Sequence, residues 1–435
     1  MERMLAMLLV TLLSLPQLGS GFEPIYERAP IHYFEQEPDT QVTRLMERAA
    51  SEGFLNKGTD REILLDFLER LQVPIESQVL VFSKTSAQNS RISPKTPRAI
   101  YYSDDVYVGW VQGGEIEVAS FDERLGIVFH LIRLTHRESG KPPLMARDRS
   151  CLNCHAGSAN GGLPGVMVRS VYPQESGMPL FQAGSFHTRH DSPIEERWGG
   201  WYVTGEVEES HHLGNAVAEA DRHAIEVVMH PLAEASLGTL DALFDAHPYP
   251  NGGQSDVVSL MVLEHQVGVH NILVEANLTT QNALHRHVEM QKAFGEPVDA
   301  PLSDTNERIL TRMADKVLQQ MLFVEEVELP AGVEGSITFQ DAFQRNAREG
   351  RDGRSLKDFR LYERLMKYRC SHLIYSEAFE HLPSEIRDRI LVQLYGILND
   401  PDQWPEYRHL SESEREHIFE ILSETLPDLP EVWKR

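Results

Sequence analysis

The sequence predicts an α+β fold, mainly α, in which a short antiparallel β region is followed by a helical C-terminal half. Three patterns predict it. Near the N-terminus Ile63, Leu64, Phe67, Leu68 and Leu71 recur at the spacing of one helix face. Short β-branched and aromatic runs separated by Gly-containing turns follow, from Val79 to Ile132. Beyond about residue 215 the apolar spacing returns to the helical period. The expected organisation is a leader over 1–21, a helical segment over 22–78, a β-containing region over 79–215 and a helical region over 216–435.

Taken in order, 40–51 and 60–71 read as helices, the second with Asp60 as its N-cap. Val79-Leu80-Val81-Phe82 opens the strands. The run 106–118, broken by Gly113-Gly114, reads as a hairpin, and Ile127-Val128-Phe129-His130-Leu131-Ile132 continues the sheet. A helix is expected from Asn215. Ser255 is placed to cap a long helix through Val257, Leu260, Leu263, Ile272 and Leu273. Gly268 in its middle costs about 1 kcal/mol relative to Ala, which predicts a close neighbour at that backbone. His265 and His270 are five apart and face different ways, so a metal shared between them is not expected. The helices over 384–398 and 411–422 look architectural.

The 435 residues carry 66 acidic and 41 basic side chains, a net charge of −25. That balance argues against nucleic acid as a partner and favours a basic docking surface on any protein partner. The N-terminus places Arg3 before an apolar run, 4–15, then Pro16 and Gly19-Ser20-Gly21, the layout of a secretory signal. The run is too short to span a bilayer and no cysteine follows it to take a lipid, so the expectation is a periplasmic or otherwise exported protein, soluble after cleavage and without a stable membrane anchor.

Cys151-Leu152-Asn153-Cys154-His155 is the segment that carries chemistry. C-x-x-C-H is the attachment pattern of c-type haem: one helical turn presents two thiols to the vinyl groups and an imidazole to the iron. The reading is one covalently bound haem c on Cys151 and Cys154, with His155 as proximal iron ligand, installed by a c-type cytochrome maturation system. Two other uses compete. A thioredoxin-type pair belongs at a helix start within a βαβ unit, and a zinc site would need Cys370 to complete a Cys₃His set. Cys370 otherwise reads as a buried free thiol.

Around the segment, Gly161, Gly162 and Gly165 would allow close approach to a flat cofactor, and Arg169 and Arg197 could pair with its propionates. Trp198 and Trp201 read as core. For the sixth iron position the sequence offers His212 first, with Met167 and His190 as alternatives, because chain length lets all three reach.

The pentapeptide, then Gly162-Leu163-Pro164-Gly165-Val166-Met167-Val168-Arg169-Ser170-Val171, the stretch from Ser192 through Arg197-Trp198-Gly199-Gly200-Trp201 to Gly205, His212-Leu213-Gly214-Asn215, Leu260-Met261-Val262-Leu263-Glu264-His265-Gln266 and Cys370-Ser371-His372-Leu373-Ile374-Tyr375-Ser376 follow one another in this order. Together they resemble large exported bacterial proteins described as cytochrome c domain-containing, which bear a single C-x-x-C-H and have no assigned reaction. The resemblance runs from about Val79 to the C-terminus and implies haem c at Cys151, Cys154 and His155. Two function classes follow: an electron-transfer cytochrome working with a periplasmic redox partner, or a haem enzyme or small-ligand sensor with an open distal site. A zinc-stabilised exported binding protein is the weaker third.

Overall fold

The computed structural model describes residues 23–434 apart from 53, 56–57, 135–143, 208–210, 221–226 and 233–237. The signal expected over 1–21 lies outside the described residues. Two helices lead, α1 (Gln41–Glu52) and α2 (Asp60–Arg70). The cap of α2 is Thr59 rather than Asp60: the Thr59 hydroxyl accepts the Glu62 amide, and the Glu62 carboxylate takes the Thr59 N–H at 2.7 Å. Asp60 instead adds negative charge to the first turn, where the helix dipole favours it.

The β region is one six-stranded meander in chain order, antiparallel throughout: β1 (Val79–Val81), β2 (Arg98–Tyr102), β3 (Val106–Trp110), β4 (Ile116–Asp122), β5 (Gly126–Arg133) and β6 (Leu144–Ala146). The hairpin read around Gly113-Gly114 is the β3–β4 turn. Alternation sends Val81, Tyr102, Tyr107, Ala119, Phe121 and Phe129 to one face, and Leu80, Tyr101, Val108, Trp110, Val118 and Ile132 to the other. The second face packs on α1 and α2. Both faces are covered, which is why β3 reads as an unbroken apolar run rather than an alternating one.

Two short hairpins follow, β7 (Arg169–Val171) with β8 (Ser185–His187), and later β10 (Ala216–Ala220) with β11 (Val227–Pro231); between them β9 (Glu206–Val207) stands alone in sequence. The helix expected from Asn215 is therefore a strand. Asn215 has φ 57°, and its side-chain amide both donates to and accepts from the Val203 backbone, so it turns the chain instead of starting a helix.

The long helix α4 (Val257–Phe294) crosses the first face of the sheet. Asp256, not Ser255, caps it, its carboxylate accepting the Ser259 amide at 2.9 Å. Ser255 instead bridges Leu80 N–H and the Tyr202 carbonyl, fastening the helix start to β1. By length and composition α4 could cross a membrane, but 89% of its most apolar window is buried inside the protein. Gly126 lies close against the helix: its φ is +74°, and a Cβ there would lie 2.9 Å from Val274. Helix α5 (Asp304–Met321) packs on α4. Then come β12 (Val333–Glu334), paired with β9, α6 (Ile337–Gln344), the hairpin β13 (Phe359–Tyr362) and β14 (Arg364–Met366), and helices α7 (Glu377–Glu380), α8 (Ser384–Asn399) and α9 (Glu412–Thr425). One cluster of buried side chains runs from Ile31 through α4 to Trp433, so N-terminal, middle and C-terminal stretches share a core.

His130 on β5 is buried with neither ring nitrogen hydrogen-bonded. Burial, with the Arg147 charge adding to it, holds its pKa down at about 4 against an ordinary 6.5. Between those values the unfolded chain binds the extra proton, so this group's contribution is present above pH 6.5 and is lost as pH falls through about 4. His130→Leu should therefore gain stability relative to the parent on acidification, by about 3 kcal/mol at full effect. Urea titrations at pH 7 and pH 4 measure this, and a pH-independent difference would reject it.

Candidate functional site

The pentapeptide forms a 3₁₀ turn, Arg149–Cys151, running into one helical turn, α3 (Leu152–His155). Asp148 starts it by accepting the Ser150 amide at 2.9 Å. Leu152 is buried against the sheet and fixes the turn, which leaves Cys154 exposed and Cys151 and His155 half-buried. Cys151 and Cys154, three apart, lie on the same side of this turn. The surrounding sheet is antiparallel, so the βαβ setting of a thioredoxin-type pair is absent from it.

His155 Nδ1 lies 2.9 Å from the Gly165 carbonyl oxygen. A carbonyl only accepts, so Nδ1 carries the proton and Nε2 keeps its lone pair. The Phe129 ring packs 4.2 Å away, centroid to centroid. Burial holds the imidazole pKa down, which keeps the ring neutral at pH 7. These are the tautomer and charge state an iron-ligating histidine needs. Two accessible thiols beside a neutral imidazole with a free Nε2 fit haem c.

The loop after the pentapeptide is held from behind by α4. Asn271 on α4 accepts the Val166 amide at 3.0 Å and donates to the Val166 carbonyl at 2.8 Å, while Asn160 donates to the His155 carbonyl at 2.9 Å. Gly165 is small because Asn271 and Asn160 press on it, whereas Gly161 and Gly162 have positive φ that serves the turn and face open space. On the sheet nearby, Arg98 and Glu117 form an ion pair, and Ser86 and Gln88 also bond the carboxylate, whose pKa is lowered despite its burial.

Beside this loop opens a cleft of about 780 Å³ between the loop, β8 and the helices α4 and α5. Its wall includes Asn160, Gly161, Met167, His187, Asn271 and Gln320. The volume is within the range of about 300–1,000 Å³ typical of ligand pockets. Met167 is thus on the cleft wall. His190 is buried with both nitrogens engaged, Nε2 with the Val324 carbonyl at 3.2 Å and Nδ1 with His265 and Gln320. His212 packs edge-on against Trp198, and its Nδ1 accepts the Gly214 amide at 3.0 Å. Burial pushes its pKa down to about 4.

Arg197 is not available to a propionate. It is 1% exposed, bonds Glu264 on α4 at 2.8 Å and donates to the His190 and Ser192 carbonyls. Arg169 lies near His187 and the Phe181 ring, on the β7–β8 hairpin. Trp198 and Trp201 are core, as read. Cys370 is buried, with its thiol pushed up to about 12 by desolvation. Among the described residues no group of three or more His, Cys, Asp or Glu side chains is placed to hold a metal, so Cys370 does not complete a tetrahedron with Cys151 and Cys154.

The structure also assembles polar groups that the sequence reading passed over. Asp104 and Asp105, at the end of β2, meet Lys357 and His372: Lys357 bonds Asp104 at 2.8 Å, and His372 Nε2 lies 3.4 Å from it. With Arg348 and Tyr375 these line a second cleft of about 410 Å³, although His372 itself stays buried behind it. Burial and the neighbouring Asp104 raise Asp105 to about 7. His270 bonds the Tyr107 hydroxyl at 2.6 Å and faces away from His265. A separation of some 250 residues between partners left no local signal of this cluster.

No family model, curated protein or solved structure matches this chain.

Proposed function

We propose that this is an exported mono-haem c-type cytochrome, with Cys151 and Cys154 holding haem c, His155 ligating its iron, and electrons exchanged with a redox protein partner outside the cytoplasm. The likeness to cytochrome c domain-containing proteins belongs to the same reading. The observation that carries it is the His155 tautomer: Nδ1–H on the Gly165 carbonyl leaves Nε2 free, one residue after two accessible thiols. The haem, when bound, supplies one-electron chemistry at iron. The protein's part is to hold the imidazole neutral and aimed, through Gly165 and Phe129, and to pin the loop on Asn271. The acidic surface favours a partner with a basic docking face.

A second reading, a haem enzyme or small-ligand sensor, is favoured by how the three sixth-ligand candidates are engaged. Because Gly214 donates to Nδ1 of the neutral His212 ring, the ring's proton sits on Nε2, the wrong tautomer for an iron ligand. His190 is fixed with Nε2 on the Val324 carbonyl and Nδ1 facing His265 and Gln320. Met167 follows Gly165 by two residues, and the Gly165 carbonyl backs the proximal imidazole, so its reach to the opposite haem face is short. Carbon monoxide separates the readings. An electron carrier with a firm sixth ligand should leave the reduced spectrum unchanged under the gas, whereas a shifted Soret band would overturn that assignment in favour of ligand chemistry. In the oxidised protein, low-spin bis-imidazole spectra would identify His212, and a near-infrared methionine-to-iron band Met167.

A further inference from the structure

We infer that His190 and His265, with the Gln320 side-chain amide as a third donor, form a binding site for a divalent transition-metal ion of the zinc class, beneath the 780 Å³ cleft and separate from the haem. The Nδ1 atoms of the two histidines are 3.2 Å apart and the ring centroids 5.2 Å. Two imidazoles on a tetrahedral zinc with bonds of about 2.0–2.1 Å would place their nitrogens about 3.3 Å apart and their centroids about 5.2 Å. An in-line N–H···N bond of the observed length would put the centroids about 5.5 Å apart.

The protons permit this arrangement. His190 Nε2 faces the Val324 carbonyl, which can only accept, so in the neutral ring Nδ1 carries a lone pair. Two groups converge on that lone pair, His265 Nδ1 at 3.2 Å and the Gln320 amide at 3.1 Å. When His265 donates its Nε2–H to the Ser371 hydroxyl, 2.9 Å away, its Nδ1 also presents a lone pair to the same point. A cation accepts both lone pairs at once, and turning the Gln320 amide by a half-rotation adds its carbonyl oxygen. The Val324 carbonyl and Ser371 hydroxyl then serve as the outer hydrogen-bond partners that orient ligating imidazoles.

Packing holds the arrangement rigid. Phe323 stacks on His265 at 3.7 Å with an 8° tilt, and Arg197 fastens the His190 carbonyl. Gly268 on α4 is where Gln320 crosses, so a side chain at 268 would displace the third donor. Asp191, next to His190 and on the cleft wall, is paired with Arg189 at 3.1 Å. With only two imidazoles and an amide, positions remain for water or a small oxygen-donor ligand entering from the cleft, as in zinc sites that stay open.

The test uses full-length haem-loaded protein, stripped with chelator and dialysed against micromolar Zn²⁺. Metal analysis should find one zinc per chain in addition to one iron. His190→Asn and His265→Gln should each lose the zinc while Gln320→Glu binds it at least about tenfold more tightly, since a carboxylate replaces an amide donor. Zinc X-ray absorption on the wild-type protein should show two imidazoles in the first shell, a readout that does not depend on any variant folding. Absence of bound zinc in the wild type, a first shell without imidazole, or unchanged zinc in both folded histidine variants would each overturn the site. The zinc count stands whether or not haem attaches, so its failure is distinguishable from failure of the haem reading.

Discussion

Replacing Cys151 and Cys154 together by Ser should yield protein with no covalently bound haem, whereas the wild-type chain, produced with a c-type maturation system, keeps one haem through acid-acetone extraction and gains its mass. The thiols are half-buried and exposed on one helical turn, so the substitutions remove the attachment chemistry without disturbing the core that Leu152 anchors. His155→Ala should behave differently. Attachment through the cysteines can continue, while the Gly165 carbonyl loses its donor and the iron its proximal ligand, which shows as altered spin state. Haem lost completely from the wild-type protein on extraction would sink the proposed function.

Glu264→Leu should destabilise the protein by about 3–5 kcal/mol, because it leaves Arg197 buried and charged without its carboxylate. The pair is among the most enclosed in the molecule, with side chains 1% and 0% exposed. Arg197 cannot escape to water: its remaining bonds are to the His190 and Ser192 carbonyls within the same core. The double variant Arg197→Met with Glu264→Leu removes both charges and should recover most of the loss, since a buried ion pair competes poorly with well-packed apolar side chains of similar volume. Urea melts of the parent, both single variants and the double variant measure this. A single-variant loss below about 1 kcal/mol would place the pair in a far wetter setting than the structure gives it.

Much of the fold could be read along the chain because its signals are local. The apolar face of α2, the Gly-containing β3–β4 turn and the long apolar period of α4 are each written within a few consecutive residues. The errors fall where a distant partner decides. Asn215 was expected to open a helix, and its amide pairs with Val203 to make a turn. Ser255 was expected to cap α4 and instead bridges Leu80 and Tyr202, leaving the cap to Asp256. Arg197 was expected as a candidate partner for a haem propionate, and Glu264, 67 residues away, takes it instead. Gly268 was the exception: its cost within a helix signalled a close neighbour, and Gln320 occupies that place.

The sequence by itself determined the C-x-x-C-H pentapeptide, the acidic balance and the succession from helical segment to β region to long helix, because spacing, composition and period are properties of neighbouring residues. Only the tertiary structure decided which nitrogen of His155 stays free, that His190 and His265 converge at 3.2 Å, and that Asp104 meets Lys357. Those facts depend on hydrogen-bond partners 10 to 253 residues away, brought together by packing α4 on the sheet. A side chain's protonation and direction are set by what surrounds it, and a linear chain does not state its surroundings.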